Sequence, residues 1–133
     1  MNNRIRVLTV LSCGLFSVSS WAATDLYVSP AGSDSNSGTQ SAPFKTITRA
    51  SQSASAGTTV HVAAGTYNVS APSLGDSGIR TATSGTASAH IRFVSDPKNR
   101  AKIVMSGTGI AWNSTGSYVD IDGFEITGSG RLG

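Results

Sequence analysis

The sequence predicts an all-β chain wound into short stacked coils, with a β-sandwich as the competing architecture, on three observations. Apolar and β-branched residues arrive in brief alternating runs such as TTVHVA at 58–63, HIRFVS at 90–95 and FEIT at 124–127. Similar strand pairs return at intervals suited to a solenoid: Ile91 to Val119 is 28 residues and Val104 to Ile126 is 22. The chain is rich in Gly, Ser, Thr and Ala and poor in the strong helix formers Leu, Glu and Lys, which disfavours a helical bundle. A sandwich uses strands of the same kind but joins antiparallel partners by hairpin turns, and Asp122-Gly123 is one candidate turn.

Taken in order, residues 1–22 carry the pattern of a secretory signal peptide. Arg4 and Arg6 open it, residues 7–18 are mostly apolar, and Ser20-Trp21-Ala22 supplies the small-x-small cleavage pattern. The apolar stretch is too short and too broken by Thr9, Ser12, Gly14 and Ser17 to span a bilayer as a helix. No membrane association is expected once it is removed, and the expected location is secreted, periplasmic or extracellular. A lipoprotein box at Cys13 is the weaker alternative. Cys13 is the sole cysteine and leaves with the signal, so the remaining chain has no disulfide and no thiol chemistry.

The next unit, 23–57, is read as a strand (25–29), a turn-rich loop (30–41) and one helix over 43–56. Pro43 suits a first helical turn, Phe44, Ile47, Ala50 and Ala54 form one apolar face, and Gly57 stops it. A single amphipathic helix ahead of a series of strands is suited to capping them. The unit 58–133 is read as the coils themselves. Strands are expected at 58–63, 66–69, 90–95, 102–106, 109–112, 118–121 and 124–127, and 70–88 is expected to bulge out as a loop.

Four stretches come in a familiar order: YVSPAGSDSNSG at 27–38, PFKT at 43–46, GTTVHVAAGTY at 57–67 and YVDIDGFEITG at 118–128. Together they resemble the N-terminal region of secreted right-handed parallel β-helix proteins of the pectate-lyase-like superfamily, nearest to family-nine polysaccharide lyases. The resemblance covers nearly all of the chain after residue 22 and is more specific for fold than for substrate. It implies the N-terminal coils of a right-handed parallel β-helix behind one capping helix, in a protein that acts on acidic polysaccharide. It also implies a basic side chain that removes the proton beside a uronate carboxylate, with calcium neutralising that carboxylate in the parent protein. The family's reactive coils lie further along than residue 133. No catalytic residue is therefore identified here, no cofactor is assigned to this chain, and a non-catalytic glycan-binding or adhesive β-helix is the alternative.

The residues themselves offer few sites. Asp120, Asp122 and Glu125 are the only clustered acids, and Asp120 and Asp122 are the weak candidates for a metal or sugar contact. Alternation puts Val119 and Ile121 inside and Asp120 outside; solvated outer positions and a turn explain the acids as well. Asp34-Ser35-Asn36-Ser37-Gly38 imitates the start of a calcium loop, but its twelfth position is Lys45, so a self-bonded loop is the better reading. His61 and His90 stand without a carboxylate or nucleophile nearby in sequence. Arg80, Arg92 and Lys102 are candidates to touch an anionic polymer, and Tyr67, Trp112, Tyr118 and Phe124 to stack on sugars, or equally to be buried. Asn68 and Asn113 each begin a glycosylation pattern.

Charge adds one exclusion. The formal +3 falls to +1 without Arg4 and Arg6, and Lys98, Arg100 and Lys102 form the only basic cluster, so a nucleic-acid partner is not expected. With two coils and a partial third, and no closing cap in GSGRLG at 128–133, the chain is expected to be the first part of a longer protein.

Overall fold

The computed structural model describes residues 23–129; the signal-peptide assignment at 1–22 lies outside them. Seven strands and one helix follow in the order β1 (Thr24–Val28), α1 (Ile47–Ser53), β2 (Thr58–Ala71), β3 (Ser77–Thr81), β4 (Ile91–Gly107), β5 (Ile110–Ser114), β6 (Val119–Asp122) and β7 (Phe124–Gly128). Every pairing between these strands is parallel: β1 with β2, β2 with β4, β4 with β6 and β7, and β3 with β5. Parallel neighbours need a long crossover rather than a hairpin. The sandwich is thereby excluded, and Asp122-Gly123 links consecutive strands of one coil rather than antiparallel partners. The chain is a parallel β-helix.

The coil lengths are set by where the strands bend. β2 and β4 each run through two of the expected strands, and their register breaks between Ala63↔Asp96 and Gly65↔Ala101. The longer β4 side accommodates residues 97–100 as a bulge organised by Ser95. Its Oγ donates to the Pro97 carbonyl at 2.8 Å and accepts from Arg100 N at 3.2 Å and Ala101 N at 2.9 Å. That explains why a serine occupies a buried position in an otherwise apolar row. The sequence predicts a loop over residues 70–88, yet β3 lies within them, because Ile79 and Thr81 are both fully buried and Ile79 pairs with Trp112.

Inside the coils, successive rungs stack like on like. Leu26, Val60, Phe93 and Ile121 are register partners, as are Tyr67, Ile103 and Ile126. Trp112 is 4% exposed, and its ring meets Phe93 and Phe124 edge-on at 5.1 and 5.4 Å. Burial of these rings and aliphatic chains is the main stabilising term, since each large side chain removed from water contributes about 1.5–3 kcal/mol. The last rung is less covered: Val119 is half-buried and Ile121 is 41% exposed.

The helix caps this stack, but it is shorter than 43–56. Phe44 stays extended as a parallel bridge to Val28, with Phe44 N donating to Tyr27 O at 2.9 Å and Ser29 N to Phe44 O at 2.9 Å. Thr46 is the N-cap, its hydroxyl accepting from Arg49 N at 3.1 Å. Beyond Ser53 the chain is extended again at Ala54. The expected apolar face is nonetheless correct, because Phe44, Ile47, Ala50 and Ala54 are all buried. From that face Thr48 Oγ1 donates to Gly78 O at 3.2 Å and Ser51 Oγ to Arg80 O at 2.9 Å. Those carbonyls belong to the edge of β3, where no strand precedes it, so helix hydroxyls supply the missing donors.

Tyr67 gives this interior a measurable signature. Its hydroxyl donates to Ala63 O at 2.9 Å, and burial pushes its pKa from 10.0 up to about 12. A raised value favours the neutral folded form, so the stabilisation is complete below pH 10 and is lost as pH rises through 12. A fall of about 1–2 kcal/mol in unfolding free energy is expected across that window once solvent screening is allowed for. Denaturant titrations at stepped alkaline pH should show it, and Tyr67→Phe should flatten the curve.

Candidate functional site

Because the coils are parallel, residues remote in sequence form straight rows on the outer face. One row on the first stretch of the β1-β2-β4-β6 sheet is Asp25, Thr59, Arg92 and Asp120; the next is Tyr27, His61, Val94 and Asp122. This places both histidines among carboxylates, which inspection of near neighbours in sequence had missed. His61 Nε2 lies 3.5 Å from Asp25 Oδ1 on β1, and its Nδ1 lies 3.3 Å from Asp96 Oδ2 on β4. Nδ1 is shielded from solvent, and the Asp96 oxygen lies off the line of a hydrogen bond. The ring stacks on Tyr27 with centroids 5.0 Å apart and planes 15° from parallel. Beside this pair opens a shallow cleft of about 400 Å³ whose lining includes Ser29, Gln40, His61 and Asp96.

A second group forms one rung on, between β4 and β6. His90 Nδ1 is 3.0 Å from Asp120 Oδ2, and Arg92 Nε is 3.9 Å from the same oxygen. Tyr118 leans on His90 at 5.4 Å and is half-exposed. Its φ of +55° is uncommon for a large side chain. The turn is held by Ile91 N donating to Tyr118 O at 3.0 Å and Gly85 N to Ser117 O at 2.9 Å. Further along, Lys98 Nζ is 3.1 Å from Asp122 Oδ1 and Lys102 Nζ is 3.2 Å from Glu125 Oε1.

The acids at 120, 122 and 125 do not converge on one point. Each faces the basic side chain of the preceding coil. Calcium takes six to eight oxygen ligands, whereas Asp120 and Asp122 already have Arg92 and Lys98 against them. Among the described residues, no group of three or more His, Cys, Asp or Glu is placed to hold a metal ion. The side chains present here do not fit calcium. Nor is Arg92 or Lys102 an unengaged base, since both are held by carboxylates. Asp25, Asp96, Asp120 and Asp122 outnumber Arg92 and Lys98 on this face, which makes it unfavourable for an acidic polymer.

Other candidates resolve individually. Trp112 and Tyr67 belong to the core and cannot stack on a sugar, and Phe124 is half-buried against Trp112. Tyr118 alone of the four presents its ring to solvent. Arg80 is exposed on β3. Asp34 is the peg of a loop: Oδ1 accepts from Lys45 N at 3.0 Å and Thr46 N at 2.8 Å, and Oδ2 from Thr46 Oγ1 at 2.8 Å. Asn68 is exposed on β2, while Asn113 donates to Ser77 Oγ at 3.3 Å.

Parallel coils with like-on-like inner rows and charged outer rows define a pectate-lyase-like β-helix. The chain belongs to the Pel9A-like right-handed β-helix family, whose model matches residues 26–133. An uncharacterised protein of Bacillus subtilis, YwoF, is 58% identical over 43 residues, which are 32% of this chain and 9% of that protein. Pectate lyase PEL9 of Emericella nidulans is 45% identical over 67 residues, 50% of this chain and 15% of the lyase. Among solved structures, a rhamnogalacturonan lyase superposes with a TM-score of 0.63 at 25% identity, over 80% of this chain and 29% of that one. The chain thus matches only a small part of the length of these relatives. No helix of the described residues is long and apolar enough to cross a membrane.

Proposed function

We propose that this chain forms the first coils of an exported polysaccharide lyase, which cleaves an acidic polysaccharide by β-elimination in coils that follow residue 133. The printed activities of two relatives, a pectate lyase and a rhamnogalacturonan lyase, support the reaction class. The observation that carries the division of labour is the pairing of Arg92, Lys98 and Lys102 with carboxylates. Elimination needs a base within hydrogen-bond reach of the substrate and a cation where negative charge develops. On the outer face Arg92, Lys98 and Lys102 are all engaged by carboxylates, which supports reading these coils as the capped, rigid start on which reactive coils stack. The half-covered last rung, with Ile121 at 41% exposure, suits a continuation of the same inner row. Calcium, where the reaction uses it, belongs to those later coils.

The test compares the 133-residue chain with the product of the reading frame extended past Gly133, on pectate, rhamnogalacturonan and alginate. Unsaturated uronide is expected from the extended protein and none from the shorter chain. Turnover by the shorter chain that Asp120→Ala abolishes would relocate the active site to the outer face described above. Saturable polymer binding without unsaturated product in either protein would replace the lyase with a glycan-binding β-helix.

A further inference from the structure

The edge of β2 nearest the capping helix is covered over only half its length. β1 pairs with β2 as far as Val62 and no further, whereas β4 continues along the opposite edge from Gly65 to Ala71. After Val28 the chain leaves the sheet and returns as α1, and this leaves one rung position open. A groove of about 350 Å³ occupies it, between residues 45–48 and residues 66–70. Its ends are closed. Pro30 sits against Gly65, where a Cβ would come within 2.4 Å of the Pro30 Cγ, and at the other end Thr48 Oγ1 bonds to Gly78 O.

Lys45 is the one charged side chain in the lining. Unlike Arg92, Lys98 and Lys102, it takes part in none of the ion pairs among the described residues. Thr66, Asn68 and Ser70 alternate along the exposed side of β2 and bring hydroxyl and amide groups, while Ile47 and Val69 supply apolar surface. Of the backbone N–H groups at residues 66–70, the alternate ones that point away from β4 have no strand partner among the described residues. The groove is therefore mainly apolar with a few polar groups, has no carboxylate in its lining and is of the size that takes a small ligand rather than a surface. A peptide adding as a strand would have to run out past Gly65, where Pro30 blocks it.

We infer that this groove is an anionic-saccharide site, in which Lys45 pairs with a uronate carboxylate and Thr66, Asn68 and Ser70 bond to ring hydroxyls. Its lining has no carboxylate and it needs no catalytic residue, so it holds the polymer rather than cleaving it. The choice of a uronate rests on the acidic-polysaccharide reading above; the lining, with Lys45 as its one charged group and hydroxyl and amide groups along β2, does not.

Calorimetry of the full chain with trigalacturonate and with maltotriose, joined to amide NMR shifts, tests this. Trigalacturonate should bind and shift the amides of residues 66–70, maltotriose should bind at least about tenfold more weakly, and Lys45→Glu should lower the trigalacturonate affinity by about tenfold or more. Lys45 is exposed, so the variant should keep the parent circular dichroism; Lys45→Ala is the second variant if it does not. Equal binding of the two trimers, unchanged affinity in both lysine variants, or shifts confined to residues outside the groove would overturn the assignment. So would displacement of the sugar by an alternating Thr-Val hexapeptide that shifts the same amides more tightly. Absence of unsaturated product from the extended protein, with groove binding intact, would remove only the lyase reading.

Discussion

Phe93→Ala is expected to cost about 3–5 kcal/mol of unfolding free energy, a large share of the 5–15 kcal/mol that holds a domain of this size folded. Phe93 is fully buried on the middle strand, in register with Val60 on one side and Ile121 on the other, and its ring meets Trp112 across the interior. In stacked coils each unit is stabilised by its neighbours, so a cavity at this rung weakens contact with both. Arg92 and Val94 flank it on the same strand but belong to the outer rows, and Arg92 is mostly exposed. Alanine there should cost under about 1 kcal/mol. Urea unfolding of the three variants separates the cases. Equal losses at 92, 93 and 94 would mean that this strand does not alternate between an interior and an exterior.

That alternation was legible in the sequence because a period of two needs only local inspection. Ile91 and Phe93 inside with Arg92 outside, Val60 and Val62 inside, and the apolar face of the helix all follow from side-chain type and spacing. What the sequence could not display was the offset between coils. His61 and Asp96, or His90 and Asp120, become neighbours only once each coil is known to return in parallel. The recurrence from Ile91 to Val119 carried that information, and applied as a register it brings Arg92 to Asp120 directly. The helix boundary failed for a different reason. Pro43 and Phe44 are compatible with a first helical turn, but the bridge from Phe44 to Val28 and the grip of Asp34 on Lys45 N and Thr46 N hold that segment extended. Those tertiary contacts outweigh a weak local preference. Trp112 illustrates the limit for sites, since a tryptophan suited to stacking on sugar is here donating its indole N–H to Thr81 Oγ1 at 3.0 Å inside the core.

Gly107→Ala should be a strongly disruptive single-methyl change, and a second glycine shows why. Gly107 and Gly75 have nearly the same backbone, φ +100° and +96°, so alanine at either pays a similar conformational penalty of about 1–3 kcal/mol. Their surroundings differ. A Cβ at Gly75 meets nothing within 4 Å, but at Gly107 it would lie 2.2 Å from Ala71 O and 2.7 Å from Ala71 C. That carbonyl cannot swing away cheaply, because Gly109 N donates to it at 2.9 Å and Gly107 is itself the register partner of Ala71. Adjacent coils are separated by the strand spacing of roughly 4.8 Å, so relief requires prising them apart at the end of β4. Forced overpacking of this kind adds about 1–3 kcal/mol. Gly107→Ala is therefore expected to lose about 2–3 kcal/mol more than Gly75→Ala in matched denaturant titrations. If the two variants were equally stable, backbone strain alone would be acting, and the close approach of Ala71 to the coil beneath it would not exist in solution.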